Sequence, residues 1–385
     1  MYAPVTKLTY FDVNASDLFA AEEIERARRY HRPLYLALAL DWALQAAVLA
    51  AITFGPPGEW LGDATGGPWW SRTLELAVLV LGASALVRLP LSAWRGWAHE
   101  RRWGFSTQSF GAWLVDVFKA LVVGAVLTGI ALLGLVWTAR TWPQWWPAVA
   151  SPGAAALTLV LTLLAPLLFE RLFNRFWPLD DVELARDLRE LSERAGVPVR
   201  TLLVADASRR TRKHNAYVSG LGPTRRLVLF DTLLRDVPPG ELRGVVAHEL
   251  GHRRFRHVAL GTALAMVGVV AAVLILKLVF AWDGLVAAAG AEGPGDFRIV
   301  PLALFVLWFA ELVALPFETW LSRRWERAAD RFALDLTSDG GALEQMHRRL
   351  ALANLADLDP PPLLYALLFT HPTPPERIAA ARMQA

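Results

Sequence analysis

Six long apolar stretches, separated by polar segments, set the pattern of this chain. A helix needs ~20 largely apolar residues to cross the ~30 Å hydrocarbon core of a bilayer, because each residue rises ~1.5 Å. Three stretches carry no formal charge, whereas the other three carry charges, and for these a buried core helix is the alternative. We predict six membrane-spanning helices, at about 33–54, 74–91, 120–139, 148–169, 258–276 and 299–321.

The segments between these stretches differ in their basic residues. Arg and Lys are abundant in alternate segments, namely 1–32, 92–110, 170–257 and the tail from Ser322, and scarce in 55–73, 138–147 and 284–297. Because Lys and Arg are retained on the cytoplasmic side of a membrane, this alternation predicts that both termini lie in the cytoplasm. The membrane would be the inner membrane of a bacterium or the endoplasmic reticulum of a eukaryote.

Composition supports a membrane protein and removes several kinds of chemistry. Hydrophobic residues make up 55% of the chain and charged residues 19%, with a mean hydropathy of +0.34. Soluble domains carry ~25% charged residues, so a purely soluble or disordered chain fits poorly. The chain has no cysteine, which excludes disulfide scaffolds, cysteine-ligated zinc, iron–sulfur clusters and thiol nucleophiles.

A polar insert lies between the fourth and fifth stretches. The segment Leu179-Asp180-Asp181 offers a helix N-cap, and apolar residues then recur at helical spacing until Gly196 and Pro198. Three short runs rich in Val, Leu and aromatic residues follow and predict a small antiparallel sheet, at 201–205, 215–219 and 226–230. The fold class is therefore mainly α and integral to the membrane, with an α+β insert on the cytoplasmic face.

The insert ends in the sequence His248-Glu249-Leu250-Gly251-His252. Residues four apart on a helix lie one turn above each other, so both histidines can bind one metal ion. Glu249 would then reach a metal-bound water and act as the general base of a hydrolase. This ligand set indicates a zincin-like α+β catalytic insert that hydrolyses peptides through an activated water, without a covalent intermediate.

A third metal ligand is predicted farther along the chain. A hydrolytic zinc ion usually takes three protein ligands and leaves the fourth position to water. After His252 the chain crosses the membrane twice and returns to the same face, where Glu326 and Asp330 stand one helical turn apart. Glu326 would ligate the metal, and Asp330 would support a ligand histidine. Taken alone, this segment could equally be a solvated charged helix.

These motifs together resemble the type I CAAX prenyl endopeptidases, which are integral-membrane zinc metalloproteases. The resemblance runs from about residue 178 to residue 377, and the upstream spans are compatible with that family's membrane region. It rests on His248-Glu249-Leu250-Gly251-His252, Glu326-x-x-x-Asp330, Lys213-His214-Asn215-Ala216-Tyr217, and His371-Pro372 with Arg377. One departure is that eukaryotic members have seven spans, whereas six are predicted here.

The resemblance implies one Zn²⁺ ion per chain, held by His248, His252 and Glu326. It further implies substrate pairing along the strand formed by Asn215, Ala216 and Tyr217. His371 and Arg377 would lie near the site and steady the reacting carbonyl. The substrates would be peptides or proteins, with prenylated C-termini as the family's substrate class.

Charged residues also occur within or at the ends of the predicted spans, where they are costly and usually face a partner or water. Two interpretations stay open, namely that they pair with one another or that they line a water-filled cavity through which a substrate reaches the zinc. The residues are Asp41, Arg88, Asp116, Lys119, Lys277, Glu311 and Glu318.

Four segments are predicted from these patterns. They are a membrane region with four spans (1–170), the cytoplasmic insert (171–257), a two-span hairpin (258–321), and a cytoplasmic C-terminal segment that completes the active site (322–385). Peptide substrates and the lipid bilayer are the expected partners. Nucleic acid is not expected, since contact with anionic lipid explains the basic stretch 209–213 better.

Two other functions remain as alternatives. The same chemistry would suit an HtpX-type protease that degrades damaged membrane proteins, although HtpX-type chains have fewer spans ahead of the zinc motif. The second is a transporter or scaffold with structural zinc. Structural zinc sites usually have a fourth protein ligand, and only His214 or His371 is left to supply one here.

Overall fold

The computed structural model describes residues 13–220 and 225–383, which are mainly helical. In chain order the helices are α1 (Ala21–Phe54), α2 (Pro56–Asp63), α3 (Trp69–Ala93), α4 (Glu100–Arg102), α5 (Phe110–Thr141), α6 (Trp146–Phe173), α7 (Val182–Arg194), α8 (Asp231–Asp236), α9 (Pro239–Arg254), α10 (His257–Phe280), α11 (Asp283–Ala288), α12 (Val300–Thr337), α13 (Gly340–Ala353), α14 (Pro362–Leu368) and α15 (Pro374–Arg382). A π-helical turn at Trp94–His99 joins α3 to α4. The strands are β1 (Phe176–Pro178), β2 (Thr201–Ala205), β3 (Ala216–Ser219) and β4 (Arg226–Phe230).

Six helical segments in the described part of the chain are long and apolar enough to cross a membrane, which confirms the predicted six spans. They are Ala21–Phe54, Trp69–Arg102, Phe110–Thr141, Trp146–Ala165, His257–Phe280 and Phe297–Thr337. Most extend beyond their predicted apolar stretches because a helix continues through charged residues once its backbone hydrogen bonds are formed. The last segment continues through Glu326 and Asp330, so one helix, α12, carries both the sixth span and the predicted third ligand.

The sheet corrects one prediction. Its strand order is β1-β2-β4-β3, and β2 pairs with β4 in parallel, so the predicted all-antiparallel sheet is wrong. The other two pairings are antiparallel. The three central residues of β4 are all buried, as is typical of a strand with neighbours on both sides. Strand β3 is therefore left at the sheet edge.

The chain divides into two compact units. The first comprises residues 1–34, 174–258 and 315–385, and the second comprises 35–173 and 259–314. Several chain segments meet within each unit, so the division into four consecutive segments stays a prediction.

The first unit contains the sheet and the helix α9 that carries the histidine pair. Its core joins fully buried Leu188, Leu227, Leu229 and Leu250 from the helices and strands. The predicted cap is confirmed, because the Asp181 carboxylate accepts a hydrogen bond from the Leu184 backbone N–H at 3.0 Å. The core of this unit is thus formed by the apolar faces of its amphipathic helices and by the apolar side chains of the strands that face them.

The second unit is built from apolar helices, with Leu76, Val80, Leu132 and Val136 in its core. Helix α3 packs against α5, and α5 against α6. Gly129 on α5 allows close approach, since a Cβ there would lie 3.2 Å from the side chain of Leu74. Small residues at such contacts are common where helices pack in membranes.

Candidate metal centre

Three side chains in the first unit point their ligand atoms toward one another. His248 Nε2 lies 3.1 Å from His252 Nε2 and 3.2 Å from Glu326 Oε2. The third side of this triangle, from His252 Nε2 to Glu326 Oε1, is 3.1 Å. The structure therefore brings together the three residues that the sequence predicts as metal ligands.

Backbone packing places these residues. His248 and His252 occupy successive turns of α9, and Glu326 comes from α12. Gly251 lies where α12 crosses, because a Cβ on this residue would stand 3.1 Å from Ala329 Cα. A larger residue at position 251 would push α12 and its carboxylate away from the histidines.

The geometry fits a metal ion. Ligand atoms held ~2.0–2.1 Å from a tetrahedral ion lie ~3.3–3.4 Å from one another, close to the three separations here. Glu326 is 5% exposed, and its Oε2 atom has no hydrogen-bond donor in the described part of the protein. A buried carboxylate oxygen is costly without a partner, and a cation bound between these ligands would supply one.

A second group of side chains supports His248. Its Nδ1 lies 2.8 Å from Asp330 Oδ1, and Arg377 donates hydrogen bonds to both oxygens of Asp330, at 2.8 and 2.5 Å. Burial opposes protonation of His248, but Asp330 and Glu326 outweigh it and raise the pKa of His248 to about 10. The surroundings of this imidazole therefore strongly favour a positive charge, as a metal site requires.

Glu249 follows His248 on the same helix and is half-buried. Burial raises the pKa of its carboxyl above the ordinary value, while the charges of His248 and His252 act in the opposite direction. Its electrostatic interactions with both histidines, Glu326 and Arg377 place it beside the ligand cluster. A carboxylate with a raised pKa is a better proton acceptor near neutral pH.

His371 and Arg377 reach the same cluster from the C-terminal segment. His371 Nε2 lies 3.5 Å from Glu326 Oε2, and its side chain is 58% exposed. Arg377 Nη2 lies 3.9 Å from the same oxygen and 3.3 Å from His248 Nδ1. Both predicted residues are therefore close to the ligand cluster, Arg377 within it and His371 at its rim.

The edge strand β3 runs beside α9. The Asn215 carbonyl accepts a hydrogen bond from Phe230 N–H at 3.1 Å, so the residues that face β4 are 215, 217 and 219. The backbone groups of Ala216 and Val218 consequently point away from β4. Arg253 Nε donates to the Val218 carbonyl at 3.0 Å, which occupies one acceptor of this edge.

Sequence reasoning missed two histidines. His347 on α13 is 6% exposed and lies 3.8 Å from Asp330, and nothing in its sequence surroundings signals this position. His257 lies 2.9 Å from His252, Nδ1 to Nδ1. Its signal was its position five residues after His252, just beyond the end of α9.

Two family models match this chain. Residues 178–385 match the model of peptidase family M48. Residues 10–175 match the CAAX prenyl protease N-terminal region, which is described as five membrane helices. In the described part of that stretch, four helical segments are long and apolar enough to span a membrane.

Individual relatives agree with the family matches. An uncharacterized metalloprotease of Bacillus subtilis, YhfN, is 27% identical over 372 residues, covering 96% of this chain and 86% of that protein. CAAX prenyl protease 1 of Saccharomyces cerevisiae is 26% identical over 333 residues, covering 80% of this chain and 72% of that protein.

A solved structure shares the fold. The crystal structure of S. mikatae Ste24p matches with a TM-score of 0.85 at 23% identity, covering 97% of this chain and 92% of that one. Together with a family match over more than half of the sequence, these findings show that the chain belongs to peptidase family M48 and is a membrane metalloendopeptidase.

Proposed function

We propose that the protein is a zinc-dependent endopeptidase whose active site faces the cytoplasm and whose substrates include prenylated C-termini. The observation that carries the proposal is the convergence of His248, His252 and Glu326 on one point, with Glu249 beside them. The HtpX-type alternative is less well supported, because a CAAX prenyl protease 1 is among the relatives and the CAAX prenyl protease N-terminal region matches residues 10–175.

The donor set favours zinc as the metal. Two imidazole nitrogens and one carboxylate oxygen, with a further position left open, are typical of hydrolytic zinc sites. Magnesium and calcium prefer sites made of oxygen atoms alone. When bound, zinc would lower the pKa of its water toward ~7 and polarise the scissile carbonyl. We infer one such ion per chain.

The protein's own groups would then carry the proton and hold the geometry. Glu249 accepts the proton of the attacking water and passes it to the leaving amine. Asp330, fixed by Arg377, accepts a hydrogen bond from His248 Nδ1 and so keeps its Nε2 directed at the metal position. His371, at the exposed rim, is placed to donate a hydrogen bond to the developing carbonyl oxyanion.

Strand β3 is the proposed binding element for the substrate backbone. Asn215, Ala216 and Tyr217 lie on the sheet edge beside α9, and an extended peptide adds to such an edge through main-chain hydrogen bonds. Arg253 already occupies the Val218 carbonyl, and the Ala216 N–H already donates to Asn215 Oδ1 at 2.9 Å. We therefore expect the peptide to pair with the Ala216 carbonyl and to end its pairing before Val218.

The orientation of the site follows from the charge alternation of the sequence. The segments that form the metal centre are the basic ones, which places them on the cytoplasmic side. Lys277, Glu311 and Glu318 lie within spans, and their side chains are exposed. Because lipid does not accept such charges, we propose that they face water, in keeping with a hydrated route for the substrate.

The decisive experiment compares three substrates with purified protein in lipid nanodiscs. A farnesylated CAAX peptide, the same peptide without the prenyl group and an unfolded membrane protein are incubated with and without a chelator. Products are mapped by mass spectrometry, and bound metal is measured by elemental analysis. We expect chelator-sensitive cleavage of the farnesylated peptide and one zinc ion per chain.

Two results would overturn the proposal. Cleavage of the unfolded protein alone would favour a quality-control protease. Cleavage that persists after complete removal of metal would exclude the metal centre as the catalyst.

A further inference from the structure

We propose that His257 is a positioning residue that fixes the proton and the ring orientation of the metal ligand His252. The two rings meet through their Nδ1 atoms at 2.9 Å. His257 is 6% exposed, so its ring is held in the protein interior. The inference rests on the proposed metal centre, and it gives His257 a role beyond filling space.

The proton arrangement follows from the positions of the ring atoms. His252 Nε2 lies 3.1 Å from both His248 Nε2 and Glu326 Oε1, so this nitrogen is the one directed at the metal position. A metal-binding nitrogen must present its lone pair, which leaves the proton of His252 on Nδ1. His257 Nδ1 must then accept that proton's hydrogen bond, and its own proton lies on Nε2.

Two aromatic side chains hold the His257 ring in place. It stacks on Trp325 with a centroid distance of 5.0 Å and an interplanar angle of 8°, and on Phe255 at 5.7 Å and 30°. Trp325 immediately precedes Glu326 in α12. The ring of His257 therefore contacts one residue next to the metal ligand Glu326 and one residue just beyond the end of α9.

The backbone brings His257 to this position by a sharp turn. Arg256 has a φ of 57°, a left-handed conformation that non-glycine residues adopt at a cost. This residue separates the end of α9 from the start of α10, and the turn directs His257 back toward His252. A strained turn that delivers a buried polar ring to a ligand histidine is typical of a functional site.

The two metal histidines thus have different partners. His248 faces the Asp330 carboxylate, whereas His252 faces a neutral imidazole. A neutral acceptor orients His252 without adding a further negative charge to a cluster that already contains Glu326, Glu249 and Asp330. Outer partners of this kind typically change metal affinity by 10–100-fold when they are removed.

Three substitutions separate positioning from packing. His257→Asn keeps an acceptor oxygen near the place of Nδ1 but loses the ring. His257→Phe keeps a ring for stacking on Trp325 but has no acceptor. His257→Gln moves the amide toward the place of Nε2, so it also lacks an acceptor at the correct position.

The measurement is zinc affinity by chelator competition, without any substrate, together with the thermal midpoint of the metal-free protein. We expect His257→Phe and His257→Gln to bind zinc about 10–100-fold more weakly than wild type, and His257→Asn to bind within about threefold of it. The thermal midpoint of the metal-free protein reports packing and not metal binding. It should therefore be closest to wild type in His257→Phe, which keeps a ring, and lower in His257→Asn and His257→Gln, which lose it.

The outcomes are distinguishable. Zinc bound as tightly by His257→Phe as by wild type would overturn the inference and leave His257 as a packing residue. Equal loss of affinity in all three variants would overturn it as well. A wild-type protein that binds no zinc would instead overturn the proposed function on which the inference rests.

Discussion

Asp41 and Glu326 are both buried carboxylates, one in each compact unit, but their surroundings differ. Asp41, 7% exposed, accepts hydrogen bonds from Arg88 Nε and Nη2 at 2.8 and 2.5 Å, and Arg88 also donates to Gln45 at 2.7 Å. Glu326 faces two histidine Nε2 atoms that are themselves only 3.1 Å apart. The first carboxylate is satisfied by protein, whereas the second shares its surroundings with other electron-pair donors.

The difference separates a structural ion pair from a binding site. A paired carboxylate and guanidinium neutralise each other, and no further group is required. Lone pairs that converge repel one another unless a cation lies between them. Pairing therefore explains Asp41 and Arg88, and the 3.5 Å contact of Asp116 with Lys119 adds a second pair.

The largest expected effect is on catalysis at the proposed metal centre. Glu249→Gln removes the proposed general base but none of the three metal ligands. We expect kcat to fall by about 10²–10⁴-fold with zinc content unchanged, measured by peptide cleavage and elemental analysis. Glu190→Gln, an exposed glutamate on α7, is the control, and a fully active Glu249→Gln would remove Glu249 from the mechanism.

The next effect concerns the ion pair between Asp41 and Arg88. Arg88→Met removes both hydrogen bonds to the buried Asp41 carboxylate and leaves it only the longer contact with Arg95, at 3.7 Å. The free energy of unfolding should therefore fall by about 3 kcal/mol, the lower end for a broken buried pair, since Arg88 is partly exposed. The thermal midpoint should drop while activity per folded molecule is kept. Arg102→Met, at the exposed end of the same segment, is the control.

A companion variant sharpens that prediction. The double change Asp41→Asn with Arg88→Met removes both charges and should recover part of the lost midpoint. If activity falls while the midpoint is kept, the pair lies on the path of the substrate and the contrast with Glu326 fails.

A smaller effect, on zinc affinity, is expected from Asp330, which contacts the ligand His248. Asp330→Asn removes the anionic acceptor of His248 Nδ1 and should weaken zinc binding by about 10–100-fold, measured by chelator competition. Asp335→Asn, an exposed residue on the same helix α12, should leave the affinity unchanged. Unchanged affinity in Asp330→Asn would show that His248 needs no carboxylate to hold its orientation.

Per pH unit, the smallest expected effect is a pH dependence of stability. Burial, aided by the positive charge of Arg377, lowers the pKa of His347 to about 3. Below its ordinary pKa of ~6.5 the unfolded chain binds a proton that the folded protein refuses, so stability falls as pH decreases from ~6.5 toward 3. The slope from this group is at most about 1.4 kcal/mol per pH unit.

His347→Asn should reduce this slope. Thermal midpoints between pH 7 and pH 4 provide the measurement, made on metal-free protein because acid also displaces metal from histidines. Parallel curves for wild type and variant would show that His347 binds its proton equally well in the folded and the unfolded protein.

Several features of the fold follow directly from local sequence. The six spans are confirmed because length and hydropathy alone decide whether a helix can cross a membrane. The cap at Asp181 is confirmed because an N-cap depends on residues within one turn. His248 and His252 meet because the helix fixes residues four apart on one face.

The sheet contains features that local sequence does not predict. The runs that form β2, β3 and β4 were located correctly, but the predicted antiparallel pairing is wrong for β2 and β4, because alternation and composition specify strands and not their neighbours. The three-residue strand β1 (Phe176–Pro178) was missed, since so short a segment ending in proline carries little strand signal.

By itself, the sequence determined the membrane spans, the histidine pair with its glutamate, and, through the alternation of basic loops, the return of Glu326 to the same face. Only the tertiary structure decided which group contacts the Nδ1 atom of each of the two metal-ligand histidines. Asp330 lies 82 residues from His248, and His257 reaches His252 through the turn at Arg256. Such partners depend on packing accurate to less than 1 Å, and periodicity and spacing do not carry that information.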